Sequence, residues 1–191
     1  MIYHFIRFVV GLAVRVRFRL SIKGKENIPT GGVIIAMNHQ DNWDSLLVGT
    51  NTPGKLYIMA KESLFKNKLL AWVISEMGAF PINREKADIK SLKHSLKLLR
   101  EGKIFSLFIE GSRSKTGEMQ EPKKGVGFIV AKSGAPVVPT YIYGTTNKKW
   151  FGEAGVIFGK PLSFGEETDY EKISNRIAEE ITKLRVEHIN K

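Results

Sequence analysis

Four residues separate His39 from Asp44 in the run Asn38-His39-Gln40-Asp41-Asn42-Trp43-Asp44. An imidazole with a carboxylate against one ring nitrogen can serve as a general base. The ring takes a proton while the carboxylate fixes its tautomer and stabilises the imidazolium. The alternative is a His and an Asp that merely cap a turn. Asp41 adds a second carboxylate, which either raises the proton affinity of His39 or faces solvent. Further on, Glu110-Gly111-Ser112-Arg113-Ser114 groups a carboxylate, a glycine, two hydroxyls and a guanidinium. A glycine lets backbone amides approach an anion closely, and the hydroxyls and the arginine fork add donors. Arg113 suits a phosphate, and Glu110 can accept from a hydroxyl or orient a base. Ser112 lacks the Gly-x-Ser-x-Gly surround of an activated nucleophile. Lys61 and Arg84 each follow a short apolar run. A cation there can reach a phosphate, or it can be a solvated lysine or an arginine in a surface salt bridge.

Such groups need rigid elements to hold them. Residues 33–37, Val-Ile-Ile-Ala-Met, are too few for a helix and rich in branched side chains, which predicts a buried strand. Residues 45–49 open a helix, so His39 falls at a strand end and Asp44 near the first helical turn. Further strands are expected at 56–60, 78–82, 103–109, 136–144 and 156–162, with Pro139 marking a bulge or an edge. Helices are expected at 67–77, with Trp72 in the core or a pocket wall, at 124–132 and at 169–188. Another, at 87–101, has Ile89, Leu92, Leu96 and Leu99 on its apolar face. Strands alternating with helices imply an α/β fold, a mostly parallel or mixed sheet of about six to seven strands flanked by helices. Open sheets of this kind place their chemistry at strand ends.

The first thirteen residues are apolar, but Arg7 interrupts them and Arg15, Arg17 and Arg19 follow. That is short of the ~20 apolar residues a membrane span needs. They form an amphipathic helix that either packs on the core or lies in a membrane interface with its arginines on phosphates. In the second case it is a possible membrane anchor ahead of a single domain at 14–191. Residues 14–23 alternate strictly, which predicts a strand with one apolar and one basic face. Thirty Lys and Arg against nineteen Asp and Glu give a net charge of +11. Such an excess suits anionic lipid, a phosphorylated substrate or nucleic acid, and composition does not choose among them. No nucleic-acid motif with interleaved aromatics is present. The absence of cysteine excludes a thiol nucleophile, a disulfide and a Cys-based zinc site.

The His39-x4-Asp44 spacing, preceded by Asn38, resembles the first motif of the glycerolipid acyltransferases, the family of 1-acylglycerol-3-phosphate acyltransferases. Ala79-Phe80-Pro81-Ile82-Asn83-Arg84 resembles the second, Phe108-Ile109-Glu110-Gly111-Ser112-Arg113-Ser114 the third, and Ala135-Pro136-Val137-Val138-Pro139-Thr140 the fourth. The resemblance runs from about residue 24 to 159, with the four motifs in the family's order. Lys61-Glu62-Ser63-Leu64 is a looser match, with one extra residue. Two positions depart from the family: Asp41 stands where many relatives carry Ser, and Ser112 where Thr is usual.

The resemblance implies transfer of an acyl group from acyl-CoA or acyl-carrier protein to the free hydroxyl of 1-acylglycerol-3-phosphate, giving phosphatidic acid. It implies His39 and Asp44 as catalytic residues, and Arg84, Glu110, Gly111, Ser112, Arg113 and Lys61 around the acceptor. Direct transfer of this kind needs no metal and no cofactor beyond the thioester co-substrate. All four motifs are expected at one sheet edge. The expected partners are an anionic membrane surface, lysophosphatidate and the acyl donor, with no nucleic acid, and the expected location is peripheral, on the cytoplasmic face of the cell membrane. Other readings are a different lysophospholipid or glycerol-phosphate acceptor, a hydrolase using the same pair on water, and a non-catalytic basic protein binding lipid surfaces or nucleic acid.

Overall fold

The computed structural model describes residues 1–83, 88–114 and 116–190. In chain order its elements are α1 (Ile2–Arg17), β1 (Phe18–Lys23), β2 (Val33–Met37), α2 (Trp43–Asn51), β3 (Leu56–Lys61), α3 (Lys68–Glu76), β4 (Ala79–Ile82), α4 (Ile89–Arg100), β5 (Ile104–Phe108), α5 (Lys124–Ser133), β6 (Val137–Tyr143), β7 (Gly152–Phe158) and α6 (Tyr170–Ile189). The strands form one seven-stranded sheet in the order β1-β7-β6-β2-β5-β3-β4. Every pairing is parallel except β6 with β7. The α/β class and the mixed sheet expected from the sequence are therefore present.

Strand alternation divides the core into two layers. Ile34 and Ala36 of β2 pack with α4, α5 and α6, whose contributions include Leu98, Val130, Ile173 and Ile177. Val33, Ile35 and Met37 point the other way, toward Val14 of α1 and Leu47 and Val48 of α2. Because β2 is buried on both faces, it reads as a continuous apolar run, as inner parallel strands do.

Five expectations change. Residues 14–17 continue α1 rather than opening a strand, and only residues 18–23 pair as β1. The alternation that predicts a strand also places Val10, Val14 and Phe18 at helical four-residue spacing, and packing of these three into the layer shared with α2 decides between the periods. Arg7 and Arg17 turn inward rather than toward phosphates. Arg7 donates to the carbonyls of Thr50 and Thr52 at the C-terminal end of α2, and Arg17 to those of Asn147 and Lys149. The outer side of α1 instead exposes Ile2, Phe5, Phe8, Val9, Leu12 and Val16.

Trp72 is half exposed, not core, and α3 buries no residue fully. This short helix lies beside the edge strand β4 instead of covering a sheet face. On α4, Ile89 is exposed while Ser91, Ser95, Leu98 and Leu99 are buried. The small serines can face inward because Ser91 Oγ donates to the Pro81 carbonyl and Ser95 Oγ to the Ser91 carbonyl.

Pro139 lies in an inner strand, so the edge alternative is wrong and the bulge alternative right. Val137 pairs with Leu162 and Thr140 with Phe158, three residues of advance on one chain against four on the other. The missing proline N–H falls at that slip, while the Pro139 carbonyl still accepts from the Gly159 N–H. Among the described residues no helix is long and apolar enough to cross a membrane.

Candidate active site

The site begins where β2 stops. Asn38 is buried, and its carboxamide pairs with the Ile142 main chain in both directions, Nδ2 to the carbonyl at 2.9 Å and the Ile142 N–H to Oδ1 at 2.7 Å. A side chain thus continues the β2–β6 pairing while the backbone turns away. The next residue, His39, is held through its main chain on both sides. Its N–H donates to Glu110 Oε1 at 2.8 Å, and its carbonyl accepts from the Ser114 N–H at 2.9 Å. Its ring stacks on Phe108, the last residue of β5, with centroids 3.6 Å apart and planes 11° from parallel.

Nδ1 of His39 lies 2.8 Å from Asp44 Oδ2. Asp44 is fully buried in the first turn of α2. The same Oδ2 accepts from the Gln40 N–H at 2.6 Å and the Asp41 N–H at 2.8 Å, so the turn folds around this one oxygen. A carboxylate only accepts, which makes Nδ1 the donor and leaves the lone pair on Nε2. Nε2 has no protein hydrogen bond and is not among the buried unpaired atoms, so among the described residues it meets solvent alone. Asp41 serves the helix start: its Oδ1 accepts from the Trp43 N–H at 3.1 Å, an Asx turn.

Glu110 is buried just past the end of β5, and its two oxygens face in different directions. Oε1 takes the His39 N–H, and Oε2 takes the Gln120 N–H at 3.0 Å. Burial pushes its pKa up, against the opposing pull of the N–H bonds from Gln120 and His39. Gly111 follows at φ +69°, and its N–H closes the turn onto the Phe108 carbonyl. A side chain there would be strained, and its Cβ would press Lys123 Cγ at 3.2 Å. Residues 116–123 then fold back toward the site. Gln120 Nε2 donates to the Arg113 carbonyl, Gln40 Nε2 to the Gly117 carbonyl, and the Lys123 N–H to the Ile109 carbonyl.

Arg113 is exposed, with Nη1 3.2 Å from Asn42 Oδ1, two residues before Asp44 in the chain. The Ser112 hydroxyl is exposed, 3.5 Å from Gln120 Oε1. His39, Asp44, Glu110, Gly111, Ser112 and Arg113 therefore gather at the C-terminal ends of β2 and β5. Lys61 ends β3 on the same side of the sheet, exposed and without a hydrogen bond to the pair among the described residues. Arg84 lies outside the described residues. The fourth motif departs from expectation. It enters β6 from the opposite edge, and only its end approaches the site, Thr140 standing level with Met37. Asn38 and Phe108 enter the sequence reading only as motif positions without a role, and Gln120 does not enter it. Asn38 alone carried a signal, a polar residue inserted between a buried strand and the histidine.

A histidine–carboxylate pair with its free nitrogen open to solvent, beside an exposed guanidinium, can remove a proton from a substrate that carries an anion. A family model described as Acyltransferase matches residues 19–143, the greater part of the chain. The chain belongs to this acyltransferase family and is an enzyme of that class. It is 33% identical to the 1-acyl-sn-glycerol-3-phosphate acyltransferase of Bacillus subtilis, over 84% of this chain and 82% of that one. It is 30% identical to a chloroplast 1-acyl-sn-glycerol-3-phosphate acyltransferase of Brassica napus, over 93% of this chain but only 55% of that longer one. The crystal structure of the 1-acyl-sn-glycerophosphate acyltransferase PlsC from Thermotoga maritima superposes with a TM-score of 0.77, covering 95% of this chain and 77% of that one at 23% identity. That likeness is one of fold.

Proposed function

We propose that this enzyme transfers a fatty acyl group from a thioester, acyl-CoA or acyl-carrier protein, to the free hydroxyl of 1-acylglycerol-3-phosphate, yielding phosphatidic acid. The observation that carries the reading is the 2.8 Å contact between His39 Nδ1 and Asp44 Oδ2, which leaves Nε2 to face solvent as the base. Nε2 takes the hydroxyl proton as the oxygen attacks the thioester carbonyl. The carbon–sulfur bond then breaks, and the departing thiolate takes the proton back from the imidazolium. Asp44 steadies the charged ring, and Phe108 keeps its plane. A positioned base of this kind contributes about 10²–10⁴ in rate. Arg113, beside Asn42, takes the acceptor phosphate, with Arg84 and Lys61 as further cations, and so places the hydroxyl near the base. Glu110 acts one step back, by holding the His39 main chain and the segment through Gln120.

The acceptor resides in a bilayer, and the protein meets it peripherally, from the cytoplasmic side. The apolar outer side of α1 and the exposed Leu69 and Trp72 of α3 support the peripheral contact. The test is an activity matrix of acyl-CoA and acyl-carrier-protein donors against lysophosphatidate, other lysophospholipids and glycerol phosphate, with water alone as the control for hydrolysis. Labelled phosphatidic acid should form from lysophosphatidate, and His39→Ala should abolish it. Full activity in that variant would remove the assignment.

A further inference from the structure

The turn between β6 and β7 carries Lys148-Lys149-Trp150-Phe151, two cations followed by two aromatics. Trp150 is 69% exposed and Phe151 63%. Isolated exposed apolar residues are ordinary, whereas two adjacent large aromatics held in solvent call for a partner. The turn is also held in a costly shape. Phe151 has φ +57°, the one non-glycine residue at positive φ among the described residues, and bulky side chains rarely adopt that region.

What holds it is the last residue of α1. The Arg17 guanidinium donates to the Lys149 carbonyl at 2.6 Å and to the Asn147 carbonyl. The Arg17 carbonyl in turn accepts from the Phe151 N–H at 3.0 Å. The guanidinium carbon sits 5.8 Å from the Trp150 ring centre. The turn is thus a preorganised extension of α1, whose exposed apolar stripe ends at Val16, one residue before Arg17. It also opens on the catalytic edge, because β6 runs parallel to β2 and both end there.

We propose that this turn is a second membrane contact. Trp150 and Phe151 enter the interfacial layer of an anionic bilayer, while Lys148 and Lys149 meet its headgroup phosphates. Tryptophan and lysine are the residues such interfaces favour, and the net charge of +11 is complementary to the surface. The proposal rests on the bilayer-resident acceptor argued above and extends it. The apolar stripe of α1 sets the roll of the molecule about the helix axis but not its tilt, and a second point beyond the C-terminal end of α1 draws the catalytic edge of the sheet toward the lipid.

The test uses the full chain and co-sedimentation with vesicles of equal parts phosphatidylglycerol and phosphatidylcholine. The double variant Trp150→Ser/Phe151→Gly relieves the positive φ, so its thermal midpoint should not fall. Its vesicle affinity should drop ~10–100-fold, since each large apolar side chain carries about a tenfold share when buried. Lys148→Gln/Lys149→Gln should lose ~5-fold per lysine on these vesicles and nothing on pure phosphatidylcholine. Unchanged affinity in both variants, or a wild-type protein that binds no vesicle, overturns the proposal. Failure of the acyltransfer reading would show separately, as wild-type protein that binds vesicles without acylating lysophosphatidate.

Discussion

Glu110 reaches His39 through the main chain: its Oε1 accepts the His39 N–H at 2.8 Å, while the imidazole looks away to Asp44. The carboxylate therefore fixes where the histidine backbone sits, and the imidazole keeps its own partner. Its second oxygen, on the Gln120 N–H, ties the covering segment to the same point.

Replacing Glu110 by Gln should leave one of those two N–H groups facing an amide –NH₂. The expected cost is about 1–3 kcal/mol in unfolding free energy, the penalty for a buried donor without an acceptor. A pH dependence accompanies it. Burial raises the folded pKa of Glu110, so the folded state keeps its proton where the unfolded chain has released it. Stability should then fall as pH rises from the usual carboxylate value through the raised folded value. Denaturant titrations across that window should show this slope in the wild type and not in Glu110→Gln.

Asp44→Asn keeps the size of the side chain but can present an –NH₂ to Nδ1, which favours the tautomer with its hydrogen on Nε2. Transfer of labelled acyl groups should fall ~10²–10⁴-fold. The KM for the acceptor should move little, because Asp44 is fully buried and does not reach the surface that the acceptor meets. A variant retaining wild-type kcat would show that the contact orients nothing the reaction needs.

Arg113 is exposed and its side chain bonds Asn42, so Arg113→Ala should leave the thermal midpoint nearly unchanged. If it holds the acceptor phosphate, the KM for lysophosphatidate should rise at least tenfold. Arg113→Lys should recover part of that loss, because it restores the charge without the bidentate fork. Steady-state kinetics with the acceptor varied at saturating donor separates the two variants.

Asp88 caps α4, its carboxylate accepting from the Ser91 N–H and the Asn83 N–H, both at 3.0 Å. These bonds, that to Ser91 foremost, hold its pKa below the usual carboxylate value. The cap's contribution is therefore present above that usual value and is lost as pH falls through the lowered folded one. Asp88→Ala should cost ~1 kcal/mol near neutrality. The gap to wild type should close in acid, as measured by thermal unfolding at a series of pH values.

The sequence by itself determined the α/β class, the strands on either side of the site, the spacing that lets residue 44 reach residue 39 and the helix at 169–188, whose Ile173, Ile177 and Ile181 enter the core. All of these are local: a period of two or of 3.6, or a turn of six residues, is written in neighbouring positions. What the tertiary structure alone decided concerns partners far apart in the chain. Alternation at 14–17 fits strand and helix alike, and burial against α2 settled it. Arg7 and Arg17 read as surface cations until the carbonyls 43 to 132 residues away were in place. Glu110 had the composition of a substrate ligand, yet its buried oxygens were claimed by two main-chain N–H groups. A backbone donor has no sequence signature, because every residue but proline carries one. Which donor a buried carboxylate meets is therefore set by the packing of the whole sheet.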